Sequence, residues 1–137
     1  MTFSLRIEAD TDGLAHAQQA LREYLSGIGA SERATYDAEL ALDELVTNII
    51  EHGYGREAVE RPIDLAASAC EDEIALTIED DGQPFDPIGA PDPVPATSLE
   101  HVRIGGLGIH LVRKAADALE YTRVSDRNRV VVKIRRR

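Results

Sequence analysis

Five of the chain's six prolines (Pro84, Pro87, Pro91, Pro93 and Pro95) fall within a dozen residues, and this cluster divides the chain more sharply than any other feature. Proline has no backbone N–H to donate, so a stretch this rich in it cannot form an internal strand or a helix. No apolar period runs through it either, and residues 83–104 read as a long loop without secondary structure of its own. Loops of that length inside compact domains are functional lids or disordered segments. Regular structure has to be built on either side of it.

Both flanks carry clear periods. Phe3, Leu5 and Ile7 alternate with polar neighbours and predict a strand over residues 2–8. Asp10, Thr11 and Asp12 are good caps, after which Leu14, Ala17, Leu21, Tyr24, Leu25 and Ile28 follow a helical period to Gly27 and Gly29. Ser31 and Glu32 open a second helix that stops at Gly53 or Gly55. Ile63, Leu65, Ala67 and Ala69 alternate as a strand starting just after Pro62. A polar turn at Glu71-Asp72-Glu73 then leads to a strand of Ile74, Leu76 and Ile78. Beyond the loop, Leu107, Leu111, Val112, Ala115 and Leu119 predict a third helix. Tyr121–Val124, a turn at Ser125–Asn128, and Val130, Val132 and Ile134 make a closing hairpin. The fold class expected is α+β: a two-layer sandwich of a mostly antiparallel sheet covered on one face by three helices. There is no internal repeat and no domain boundary, and 137 residues suit one domain, 1–137, with its lid at about 83–104.

Composition excludes several classes. Hydrophobic residues at 43% and charged residues at 29% are ordinary for a globular chain, and no apolar run is long enough to span a membrane. The N-terminus lacks the charged-then-apolar plan of a signal peptide, so the expected location is cytoplasmic. Cys70 is the only cysteine, which excludes an internal disulfide and a cysteine-rich zinc site. Residues 1–102 hold 5 Lys/Arg against 22 Asp/Glu, and residues 103–137 hold 10 against 3. A basic end with no interleaved aromatics on an otherwise acidic chain argues against nucleic acid. It fits a small polyanion or an acidic protein partner near the C-terminal third.

Three places carry chemistry. In the second helix Glu44 and Asn48 lie four residues apart on one face, which helical geometry places away from the apolar stripe of Ala38, Leu42, Leu45, Val46 and Ile49. Such a face is either solvated surface or a site for a hydrated cation and a proton acceptor. Asp80 shares strand parity with Ile74, Leu76 and Ile78, the face turned to the helices. There it caps the Asp81-Gly82 turn or accepts from a ligand donor such as an adenine amino group, with Gly82 permitting close approach. Gly105-Gly106-Leu107-Gly108 leads into the third helix, whose free N–H groups suit phosphate oxygens, although glycine-rich helix starts are common. No Gly-Lys-Ser/Thr follows, so this is not a P-loop, and no βαβ unit supports a dinucleotide fold. His16, His52, His101 and His110 have no ligand spacing for zinc, and no Gly-x-Ser-x-Gly turn supports a hydrolase.

In order, Glu-x-x-x-Asn on a helix, Asp-x-Gly after a strand, and a long lid closed by Gly-x-Gly before a helix resemble the GHKL (HATPase_c, Bergerat) nucleotide-binding fold. Within it, Asp43-Glu44-Leu45-Val46-Thr47-Asn48-Ile49-Ile50-Glu51-His52-Gly53-Tyr54, Asp80-Asp81-Gly82-Gln83-Pro84-Phe85-Asp86-Pro87 and Gly105-Gly106-Leu107-Gly108-Ile109-His110-Leu111-Val112 resemble the RsbW-like anti-sigma factor serine kinases. The resemblance covers essentially the whole chain. It implies ATP (or ADP) and Mg²⁺ as cofactors, with Asn48 as metal ligand and Glu44 orienting or deprotonating the attacking hydroxyl. It further implies Asp80 accepting from the adenine amino group and Gly82 shaping the pocket. Backbone N–H groups of Gly105, Gly106, Leu107, Gly108 and Ile109 would hold phosphate oxygens once the lid closes. Arg103, Arg113 and Lys114 are the cations available for the γ-phosphate. The Gly-Thr that often opens a late strand in this fold is replaced here by Asn128-Arg129-Val130. The activity implied is phosphorylation of an anti-anti-sigma STAS-domain partner, with sequestration of a sigma factor and a homodimeric state. The other readings are a nucleotide-responsive binding module without phosphotransfer and a detached histidine-kinase ATPase domain. Glu44 separates catalysis from mere binding, since a binding module needs no base there.

Overall fold

The computed structural model describes residues 2–53, 61–84, 86 and 106–137. Strand β1 (Thr2–Glu8) leads through Asp10, whose Oδ1 accepts from Gly13 N at 2.7 Å, into helix α1 (Thr11–Gly27). Gly29, at φ +71°, turns the chain toward Ser31. The Ser31 Oγ accepts from Ala34 N at 3.0 Å and caps α2 (Glu32–Asn48). A π-helical turn, Ile49–Gly53, prolongs α2, so the expected stop at Gly53 is met with a change of winding just after Asn48. Strands β2 (Pro62–Ala69) and β3 (Glu73–Asp80) form a hairpin, α3 (Gly106–Ala115) follows, and β4 (Ala118–Val124) and β5 (Arg127–Arg135) form a second hairpin. Every pairing is antiparallel and the strand order is β1-β2-β3-β5-β4. This is the α+β sandwich expected from the periodicities.

Register explains where the core ends. On the inner face the cross-strand rows Phe3–Ala67–Leu76–Val132–Leu119 and Leu5–Leu65–Ile78–Val130–Tyr121 are apolar apart from the tyrosine hydroxyl. The next row reads Ile7–Ile63–Asp80–Asn128–Arg123, apolar on β1 and β2 and polar on β3, β5 and β4. Helix α2 lies against β3, β5 and α3, burying Ala38, Leu42, Leu45 and Val46. The outer face carries the row Arg6–Asp64–Glu79–Arg129. Asp64 and Glu79 stand directly opposite each other, an unfavourable like-charge pair. Arg127 Nη2 relieves it, 2.7 Å from Asp64 Oδ2 and 3.7 Å from Glu79 Oε2.

Three local expectations are corrected. Leu119 belongs to β4 rather than the third helix: α3 ends at Ala115, and Asp117 N donates to Lys133 O, pulling the chain into the sheet. The closing turn is only Ser125 and Asp126, both at positive φ, so Arg127 and Asn128 already pair in β5. Glu73 likewise belongs to β3. Part of the basic end is engaged within the chain. Arg136 binds the carbonyls of Cys70 and Ile28 through its guanidinium, and its N–H binds Asp72 O. Arg127 and Arg129 bind acids of the outer face.

Gly13 sits where a Cβ would lie 2.0 Å from the Glu8 carbonyl oxygen. Replacing glycine by alanine within a helix ordinarily stabilises by up to about 1 kcal/mol. Here the clash reverses the sign, and Gly13→Ala is expected to destabilise by about 1–3 kcal/mol in urea unfolding. A stabilised variant would contradict this packing.

Candidate functional site

The polar half-row at the end of the inner face is built around one carboxylate. Asp80 is 3% exposed, and its Oδ1 accepts from Gly82 N at 2.9 Å and from Asn128 Nδ2 at 3.0 Å. The turn-capping and ligand-facing readings of Asp80 are therefore compatible: Oδ1 caps the turn, and no described residue donates to Oδ2. Burial pushes the Asp80 carboxyl above its ordinary range, opposed by the hydrogen bonds from Asn128 and Gly82. Asn128 is 2% exposed and also donates to Gln83 O at 2.9 Å. Its Oδ1 accepts from Tyr121 Oη at 2.6 Å and Arg123 Nη1 at 3.1 Å, and the same Nη1 donates to Gly82 O at 2.9 Å.

Glu44 and Asn48 share one face of α2, as their spacing requires, but that face is not solvated surface. Asn48 is 8% exposed and Glu44 is half-buried, because α2 is covered by tertiary neighbours that helical periodicity cannot see. Neither side chain hydrogen-bonds to a described residue, and neither is a sealed, dry orphan. Burial raises the Glu44 pKa above 4.5, with the neighbouring charges of Asp43 and Glu51 adding to the effect. Helix α2, which carries Glu44 and Asn48, touches both β3, which ends at Asp80, and α3.

Helix α3 runs from Gly106, so Gly106, Leu107, Gly108 and Ile109 form its first turn. Their N–H groups are those that lack intrahelical acceptors. The Ile109 side chain is 3% exposed and belongs to the core, which leaves only its backbone for a ligand. Gly105, Arg103 and all of 83–104 except residues 83, 84 and 86 lie outside the described residues. Arg113 is half-buried and Lys114 is exposed. Tyr121 and Arg123 carry no motif in the sequence, and Asn128 stands out there only as the residue that, with Arg129 and Val130, replaces the Gly-Thr usual in this fold. The signal for its burial was the alternation Asn128, Val130, Val132, Ile134, which puts the asparagine on the core face.

The match to the family described as Histidine kinase-like ATPase domain runs over residues 7–134. The chain belongs to that family. It is 26% identical over 136 residues to an Anti-sigma F factor of Clostridium perfringens, spanning 97% of this chain and 96% of that one. It is 31% identical over 121 residues to the Serine-protein kinase RsbW of Staphylococcus aureus, spanning 81% of this chain and 75% of that one. The RsbW-like resemblance read from the motifs is thereby shown. Two solved structures share the fold. The RsbU and RsbW domains of a Mycobacterium tuberculosis protein give a TM-score of 0.69 at 18% identity, covering 98% of this chain and 32% of that one. The SiaB-SiaC complex of Pseudomonas aeruginosa gives 0.66 at 17% identity, covering 97% and 88%. Among the described residues no helix is long and apolar enough to cross a membrane.

An acid that binds its proton more tightly folded than unfolded loses stability for the protein as pH rises from its unfolded value through the raised folded one. For Asp80 that window opens at 3.8. Asp80→Asn keeps an oxygen to accept from Gly82 and Asn128 and removes the buried charge. It is expected to melt a few degrees higher than the unmutated protein at pH 7, on the order of 2–5 °C. The gap should close when both are compared below pH 4. An equal gap at both pH values would contradict a penalty from ionised Asp80.

Proposed function

We propose that the chain is an ATP- and Mg²⁺-dependent protein serine kinase that phosphorylates an anti-anti-sigma STAS-domain protein and also holds a sigma factor. The observation that carries the reading is the set Glu44, Asn48 and Asp80 Oδ2. These are polar groups on buried or half-buried side chains of touching elements, none of them bonded to a described residue. Polar groups withdrawn from solvent and left without partners fit a ligand that brings its own donors and a cation. The names of the relatives, a serine-protein kinase and an anti-sigma factor, support the two halves of the proposal.

Each residue has a role its chemistry can fill. Asn48 offers its carboxamide oxygen to Mg²⁺, and Glu44, one turn earlier, takes the proton of the attacking serine hydroxyl. Its raised proton affinity suits a base. Asp80 accepts from the adenine amino group, and Gly82, buried beside it, shapes the pocket. The N–H groups of Gly105, Gly106, Leu107, Gly108 and Ile109 hold phosphate oxygens at the positive end of α3. When bound, ATP would supply the γ-phosphoryl group to the serine oxygen and leave as ADP, with Mg²⁺ offsetting the phosphate charge. The proposal treats residues 1–137 as one cytoplasmic kinase domain with a lid at 83–104, acting as a homodimer.

The test is phosphotransfer from labelled ATP to candidate STAS-domain proteins. Glu44→Ala should lower the transfer rate by about 10²-fold or more while leaving ATP affinity within about threefold. Asn48→Ala should remove the Mg²⁺ dependence of ATP affinity. Transfer at the unmutated rate in Glu44→Ala would remove Glu44 from the catalytic role, and ATP binding with no transfer by the unmutated protein would turn the proposal toward a nucleotide-responsive binding module. Absence of ATP binding by the unmutated protein would overturn it.

A further inference from the structure

Asn128 has every hydrogen-bonding position filled. A carboxamide offers two N–H donors and two lone pairs. The donors go to Asp80 Oδ1 at 3.0 Å and Gln83 O at 2.9 Å, and the oxygen takes Tyr121 Oη at 2.6 Å and Arg123 Nη1 at 3.1 Å. Turning the amide over would set its oxygen against a carboxylate and a carbonyl, and its NH₂ against a guanidinium. One orientation is therefore strongly favoured. Arg123 also grips Gly82 O at 2.9 Å, so β4 fixes the loop that follows Asp80 as well as the asparagine beside it. A threonine at position 128 would bring a single donor and could not hold both Asp80 and the Gln83 carbonyl.

The consequence falls on the two oxygens of Asp80. Among the described residues Oδ1 takes two donors and Oδ2 takes none, which leaves Oδ2 as the oxygen that can face a ligand. A single open oxygen suits one exocyclic amino group, the 6-amino group of adenine. The edge of guanine presents two adjacent donors, N1–H and N2–H, and is best met by both oxygens of a carboxylate. We propose that Asn128, locked by Tyr121 and Arg123, is a positioning residue that makes Asp80 a one-sided acceptor and thereby selects adenine over guanine nucleotides. The inference rests on the nucleotide-binding reading above and adds its base specificity.

Binding of ATP and GTP, measured separately by calorimetry on the unmutated chain and its variants, tests this without reference to catalysis. The unmutated protein should prefer ATP. Asn128→Ala frees Oδ1 of one donor, so ATP affinity should fall about tenfold while GTP affinity holds or rises. Tyr121→Phe removes only the hydroxyl that pins the amide. It should lower the ATP preference about threefold with the fold intact, which keeps the idea testable if Asn128→Ala fails to fold. Equal weakening of both nucleotides, or an unchanged preference in both variants, overturns the inference and assigns Asn128 a structural role. ATP binding without preference over GTP in the unmutated protein also overturns it. Failure to bind either nucleotide overturns the nucleotide-binding reading itself.

Discussion

A carboxylate buried at the end of an apolar sheet face is the constraint to which the rest of this structure answers. Asp80 stands in register between Ile63 and Asn128 and is 3% exposed. Burying an ionised acid is unfavourable by several kcal/mol unless donors replace the lost water. Two neutral donors, Gly82 N and Asn128 Nδ2, offset part of that penalty, and Arg123 contributes a nearby positive charge. Filling the position with an aliphatic residue would have continued the rows of Leu76 and Ile78. In the proposed function the acid serves a ligand rather than the core, with Tyr121, Arg123 and Asn128 keeping it in place.

The same logic separates the two faces of the sheet. The outer face carries its charges in a row where partners are at hand, and Arg127 offsets the opposition of Asp64 and Glu79. The Asp64 pKa is lowered, chiefly by the hydrogen bond from Arg6, so its contribution is present above its unfolded value of 3.8 and is lost as pH falls through the depressed one. Asp80 and Glu44 behave oppositely because burial dominates both. Asp64, which favours folding, lies on the outer face, whereas Asp80 and Glu44 lie on the inner face and on α2.

Much of this was legible in the chain before folding. Strand parity alone placed Asp80 inward, helical spacing placed Glu44 and Asn48 together, and capping residues marked both long helices. What escaped depended on contacts between elements. Leu119 continues the helical spacing of Leu111, Val112 and Ala115, and only pairing with Val132 reveals it as strand. Asn128 reads as a turn residue after Ser125-Asp126-Arg127, and only register against Asp80 shows it to be buried. Asn48 looks solvated on an isolated helix because its cover comes from distant parts of the chain. The basic C-terminal third suggested a small polyanion or an acidic protein partner; the sequence could not show that Arg127, Arg129 and Arg136 are engaged by groups far away in the chain.

The central claim is that the polar end of the inner sheet face and the buried face of α2 form one site for an adenine nucleotide with its metal. A crystal structure of the protein with a non-hydrolysable ATP analogue and Mg²⁺ tests it most directly. The account predicts the adenine amino group within hydrogen-bond distance of Asp80 Oδ2, the metal on the Asn48 carboxamide oxygen, and phosphate oxygens on the first-turn amides of α3. A nucleotide bound elsewhere, or one whose base leaves Asp80 Oδ2 without a partner, would contradict it.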